Sequence, residues 1–184
     1  LVIAFAMAPA RGVSQSLADR LFVGSRRLDF QATMNQAAAI LRSVTTLGDL
    51  LERFGLTIGQ AADTERVFLL LPEEEFYAQR FPTVQPGSRT MRMELHRDQA
   101  IIARLEKTQE PIILDELHRV RSTPELERVR RQMKSLHVAV AMGIFSREQL
   151  AGVMLLGPRR SGSIYGTVEQ SALVVLCGQL AVAI

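Results

Sequence analysis

The sequence predicts an α+β domain in which strands and amphipathic helices share one core. Three stretches carry the prediction. "TTLGDLLERFGLTIGQAAD" has helical periodicity behind a capping pattern, "HVAVAMGIFSREQLAGVMLLG" reads as a long hairpin, and "TVEQSALVVLCGQLAVAI" reads as a closing helix. A chain of 184 residues suits one such core plus an appendage, and 47% hydrophobic with 22% charged residues speaks against a disordered tail.

The elements follow in order. "LVIAFAMAPA" has eight apolar residues before Pro9, far short of the ~20 that cross a bilayer. The pattern leaves a packed hydrophobic arm and the end of a membrane helix equally open. From Leu17 to Arg42, apolar Leu17, Leu21, Leu28, Met34, Ala38 and Leu41 recur at helical spacing around a single glycine, Gly24. This predicts a connector helix along whose stripe a partner chain could lie.

Thr46 caps the next helix, with Asp49 placed to answer the cap, and Leu47, Leu50, Leu51, Phe54, Ile58 and Ala61 form the face that packs on a sheet. "ERVFLLL" closed by Pro72 predicts a buried central strand. Glu73 to Glu94 contains Pro82 and Pro86 and reads as loop, with an edge strand at Phe76 to Phe81. Asp98 to Thr108 reads as a helix with Ile101, Ile102 and Leu105 on one face, and "EPIILD" as a short strand.

In "RSTPELERVRRQMK", Thr123 is the N-cap and Pro124 the first helical residue. Glu125 and Glu127 suit the positive end of the dipole, and Arg130, Arg131 and Lys134 the negative end. Val138, Val140, Met142 and Ile144 alternate with Ala139, Ala141 and Gly143. This predicts a strand with one bulky face and one small face that leaves room for a helix. "SREQ" turns it into its hairpin partner. The last helix is predicted to start at Thr167, with Gln170 completing a capping box. Its Leu173, Leu176, Cys177, Leu180 and Ile184 share one face while Val174, Val175, Ala181 and Val182 occupy the other, so burial against a second chain is expected.

Several function classes are disfavoured. The formal charge is only +3, with cations interspersed among acids, so nucleic-acid binding is not expected. A single cysteine, Cys177, rules out an internal disulfide within the chain, and no zinc spacing occurs. No metal or cofactor is expected. Cys177 reads as a small core hydrophobe, and His96, His118 and His137 lack ligand spacing. "GPRRSG" reads as a turn rather than a phosphate cradle, and Met133, Met142 and Met154 as core filling. Arg119, Arg121, Arg128, Arg130, Arg131 and Lys134 read as a solvated face, with an anionic ligand or lipid head group as the sharper alternative.

The ending "LAGVMLLGPRRSGSIYGTVEQSALVVLCGQLAVAI" resembles the close of a GAF domain. Its landmarks are Leu156, Gly157, Arg159, Arg160, Ser161, Gly162, Tyr165, Thr167, Gln179, Ala181, Ala183 and Ile184. The segment "LADRLFVGSRRLDFQATMNQAAAILRSVTTLGDLL" is similar to linkers that join membrane helices to GAF domains in bacterial sensor histidine kinases, with landmarks Asp19, Arg20, Leu21, Phe22, Asp29, Leu47 and Leu50. The resemblance implies a central antiparallel sheet flanked by helices and divides the chain into the end of a transmembrane helix (1–16), a linker helix (17–43) and a GAF domain (44–184).

It further implies a non-catalytic sensory and dimerisation module: the cytoplasmic part of an inner-membrane protein, homodimeric through its terminal helices and continuing into a kinase region beyond Ile184. None of the three histidines carries a phosphoacceptor context, and no Gly-rich ATP lid occurs. The alternative is an effector-binding GAF domain of a transcription regulator or cyclic-dinucleotide enzyme. A small-molecule pocket is expected between the sheet and the helices around Ile101 and Leu126, with Phe68, Leu105, His118, Met133, Val140 and Met142 as candidate lining. Methionine sulfoxide reduction, known in some GAF proteins, needs a second cysteine that is absent here.

Overall fold

The computed structural model describes residues 46–85 and 91–184. The expected membrane end and linker helix, 1–43, lie outside the described residues. The described elements are α1 (Leu47–Ala61), β1 (Val67–Pro72), β2 (Phe76–Phe81), β3 (Glu94–His96), α2 (Ala100–Thr108), β4 (Ile112–Ile113), α3 (Leu114–Leu117), α4 (Pro124–Ser135), β5 (Val140–Ser146), β6 (Gln149–Leu156) and α5 (Thr167–Ala183). No helix among the described residues is long and apolar enough to cross a membrane.

One six-stranded sheet in the order β3-β2-β1-β6-β5-β4, antiparallel throughout, forms the middle layer. It is covered on both faces. On the first face Leu69, Leu71, Met142, Ile144, Met154 and Leu156 pack with Leu51, Phe54 and Ile58 of α1 and Leu173, Leu176, Cys177 and Leu180 of α5. On the second, Leu70, Ala141, Val153 and Leu155 pack with Ile101, Ile102 and Leu105 of α2 and Val129 and Met133 of α4. A strand apolar on both sides needs no polar alternation, which is why "ERVFLLL" runs unbroken. As expected, it is central, paired with β2 and β6.

The caps of the first and fourth helices are as the sequence predicts. Thr46 Oγ1 accepts from the Asp49 N–H at 3.3 Å and donates to the Asp49 carboxylate at 2.7 Å. Thr123 Oγ1 accepts from the Leu126 N–H, with Pro124 at the first helical position.

Elsewhere the structure corrects the expectation. β2 is not an edge strand, because β3 pairs on its outer side. Three residues beyond two prolines are too short for a periodicity to register. Helix α5 does start at Thr167, but its cap is Gly166, and the Glu169 carboxylate, not Gln170, accepts the Gly166 N–H at 2.7 Å. Gln170 Nε2 donates instead to Glu116 and to the Tyr165 carbonyl. The faces of α5 also differ by two residues: Ala181 is buried and Ile184 exposed. Val138 leaves the row of Val140, Met142 and Ile144 and packs on the second face, because the strand begins only at Val140, after a left-handed turn at His137 (φ 54°). The small face of β5 does admit α2 beside Ala141. At Gly143 the space is taken by the Phe145 ring, 2.2 Å from where a Cβ would stand.

The β5–β6 hairpin closes through Arg147 (φ 48°) and Glu148 (φ 66°), flanked by the pair Ser146 and Gln149. Two successive left-handed residues suit a type I′ turn, which favours Asn-Gly. Replacing Arg147 by Asn together with Glu148 by Gly is therefore expected to raise stability by about 1 kcal/mol in urea unfolding. An unchanged midpoint would show the two left-handed residues to be unstrained.

Candidate functional site

The six candidate pocket residues do not converge. Phe68 of β1, Leu105 of α2 and Met133 of α4 belong to the second face, whereas Val140 and Met142 point to the first. The sheet stands between the two groups. His118 lies at the exposed C-terminal end of α3. Alternation along β5 assigns its residues to faces in the right phase from Val140 onward, but says nothing about which helices cover each face. Leu105, Met133 and Val140 are fully buried in closely packed core.

Open space lies instead at one end of the sheet, where Pro72, Ser146 and Ala151 line two clefts. The first, ≈ 670 Å³, is bounded by Leu47, Gly48 and Leu51 of α1, Ala181 and the chain end Ile184, with Arg80 as its cation. Arg80 is occupied, pairing with Glu73 at 3.0 Å. The second, ≈ 940 Å³, opens beside the hairpin and is bounded by Tyr77, Arg97, Glu106, Phe145, Arg147 and Glu148. The Arg97 guanidinium stacks 5.2 Å above the Tyr77 ring, whose hydroxyl donates to the Leu150 carbonyl at 3.0 Å. Burial pushes the Tyr77 phenol above its usual pKa, with Arg97 opposing. The clefts lie away from the expected pocket, and turn residues without periodicity line much of the second.

The cysteine is placed for packing rather than chemistry, and the three histidines are exposed. Cys177 is buried on α5, and burial pushes its thiol up to about 12, far from a reactive thiolate. His96 packs against Phe76, ring centroids 6.0 Å apart. Among the described residues, no group of three His, Cys, Asp or Glu side chains is placed to hold a metal.

The loop "GPRRSG" is a structural junction. Arg159 donates from Nε to the Ala62 carbonyl, from Nη1 to Ser163 Oγ and from Nη2 to Glu169 at 2.6 Å, while stacking 5.0 Å above Tyr165. Tyr165 in turn donates to the Gly157 carbonyl, and burial pushes its phenol up to about 12. One side chain thus ties the end of α1 to the start of α5. Its role as a turn was legible in the sequence; the three-way fastening was not.

Beyond that junction α5 carries no charge after Glu169. One face is core. On the opposite face Val168, Val174, Val175 and Val182 are exposed, Val182 at 90%.

This sheet order with helices on both faces is the GAF fold. The A. Aeolicus nlh2 GAF domain, solved in an inactive state, is similar with TM-score 0.60 at 13% identity, covering 86% of this chain and 96% of that one. The GAF domain of an Acinetobacter phosphoenolpyruvate-protein phosphotransferase gives 0.59 at 14%, over 83% and 90%. Residues 122 to 287 of a methyl-accepting chemotaxis protein give 0.58 at 13%, over 80% and 93%. No protein-family model matches the sequence, and no curated protein matches it.

Proposed function

We propose that the chain is a non-catalytic sensory and dimerisation GAF module of a two-component sensor histidine kinase. It is the cytoplasmic domain of an inner-membrane protein and passes a ligand- or membrane-derived signal through its terminal helices to a kinase region beyond Ile184. The outer face of α5 carries this reading. Val168, Val175 and Val182 recur every seven residues, with Ser171 and Gly178 three positions after the first two, a seam suited to a second copy of the same helix. A mid-helix glycine costs about 1 kcal/mol relative to alanine. A Cβ at Gly178 would meet nothing among the described residues, so their packing does not require it, whereas a close helix–helix approach would. Two states of that helix pair, biased by whatever occupies the module, would be the signal.

Light scattering over a rising concentration series tests the dimer. Val175→Glu is expected to convert a dimer to a monomer with an unchanged circular dichroism spectrum, because it places a charge in the seam without touching the core. A wild-type chain that stays monomeric at the highest concentration, or a dimer indifferent to Val175→Glu, rejects the reading. The in-frame sequence beyond the Ile184 codon tests the output. A His-Glu or His-Asp helix followed by ATP-binding boxes is expected; a helix-turn-helix would assign the module to a transcription regulator instead.

A further inference from the structure

Arg119, Arg121, Arg128, Arg131 and Lys134 are all exposed, and none forms a salt bridge or side-chain hydrogen bond with another described residue. The carboxylates of α4 are already engaged: Glu125 by Lys107 and Arg104 of α2, Glu127 by Arg130 and Ser122. Those pairings hold both carboxyls below their usual pKa, chiefly through the hydrogen bonds from Lys107 and Ser122, so they stay ionised and paired. Nearby, Glu116 accepts from Gln170, and Asp115 lies beside it on α3.

Helix stability explains only part of this pattern. Lys134 lies in the last turn, where a cation complements the dipole. Arg128 and Arg131 precede it at three-residue spacing, so three like charges share the face opposite Val129 and Met133 and repel one another. Arg119 and Arg121 lie just ahead of the N-terminus of α4, the end at which the dipole disfavours cations. Between them Val120 is 51% exposed. An aliphatic tip flanked by arginines, beside a helical stripe of cations, is suited to a charged surface with an apolar layer beneath it. No Phe, Tyr or Trp occurs from Leu114 to Val138 on which a nucleic-acid base could stack, the only rings there being the imidazoles of His118 and His137.

We infer that the outer face of α4, with the Arg119–Val120–Arg121 tip, docks on an anionic lipid bilayer. The inference rests on the proposed membrane tether, which would hold the domain near such a surface at high effective concentration. It would make the attitude of the domain to the membrane depend on anionic lipid and salt. The face lies across the sheet from the valine seam of α5, so docking and dimerisation use different surfaces.

Vesicle co-sedimentation of the whole 184-residue chain tests it. Phosphatidylcholine vesicles are compared with vesicles containing about 30% phosphatidylglycerol, at low salt and at about 0.5 M salt. Binding is expected to rise on the anionic vesicles and to lose that increment at high salt. Arg128→Gln with Arg131→Gln and Lys134→Gln should weaken the increment by about fivefold for each cation removed. Val120→Asp should weaken it further, while light scattering of the dimer stays unchanged in both variants. The glutamine changes leave the core and the Thr123 cap intact, and circular dichroism checks that they do.

Equal binding to neutral and anionic vesicles, or an increment indifferent to the glutamine variant, overturns the inference. Displacement from vesicles by a single-stranded oligonucleotide that binds more tightly would assign the face to nucleic acid and overturn it as well. Loss of the dimer with vesicle binding intact would reject the proposed dimer and leave the lipid surface standing.

Discussion

Arg159→Ala is expected to lower the stability of the domain by about 2–3 kcal/mol, because it removes three hydrogen bonds and leaves Glu169 without its cation. The Arg159 side chain is only 10% exposed and that of Glu169 26%, so water screens the pair only in part. Arg159→Lys should recover little of the loss, since one ammonium cannot reach acceptors on Ala62, Ser163 and Glu169 while stacking on Tyr165. Urea unfolding measures the cost, and hydrogen exchange locates it. Protection should fall first in the opening turns of α5, where Glu169 also accepts the Gly166 N–H. If α5 is as protected in Arg159→Ala as in the parent, the junction does not set the helix.

Stability is expected to fall in strong alkali, with Cys177 among the causes. Its thiol is raised from 9.0 to about 12 by burial, and the Tyr165 phenol from 10.0 to about 12, mainly by burial against the opposing pull of Arg159. Both groups are neutral below those values and give up protons more readily when the chain is unfolded. Their contribution is therefore complete below pH 9 and is lost as pH rises toward 12. For Cys177 alone the loss is on the order of 3–4 kcal/mol across that window. Urea unfolding of the parent and of Cys177→Ala at intervals from about pH 8 to 11 should give curves that converge as pH rises. Parallel curves would mean that the thiol ionises in the folded state as easily as in the unfolded one. At neutral pH the folded chain should also resist thiol reagents until denaturant opens it.

Most of the elements were legible because each depends on its own residues. Thr46 and Thr123 stand where a hydroxyl can accept a backbone N–H, and that local chemistry is the same in any fold. The run from Val67 to Leu71 and the alternation from Val140 to Ile144 reported strands for the same reason. Strand β3 was missed because Glu94 to His96 is too short to show a period and is held by its neighbour. Gln79 shows the dependence: its buried amide receives the Met93 N–H and donates to the Pro82 carbonyl, fastening the returning chain. The N-terminus of α2 is similar, since the Ile101 N–H is accepted by Gln132 of α4 rather than by a local cap.

The candidate site divides along the same line. The burial of Cys177 and the turn at "GPRRSG" followed from local pattern. The assumption that Phe68, Leu105, His118, Met133, Val140 and Met142 could face one cavity failed because face assignment alone does not say what lies across from it.

The amino-acid sequence by itself determined α1, α2, α4, α5 and most of the strands, the caps of α1 and α4, and a last helix with too much apolar surface for one core, but it read Leu114 and Asp115 of the short helix α3 as strand. Its resemblance to GAF domains also pointed to the fold. Tertiary structure alone decided that β1 and β6 meet at the centre of the sheet, that Ala181 rather than Ile184 turns inward, and that Arg159 joins three segments. Periodicity encodes which side of an element is apolar; only the folded chain brings distant residues within hydrogen-bonding reach.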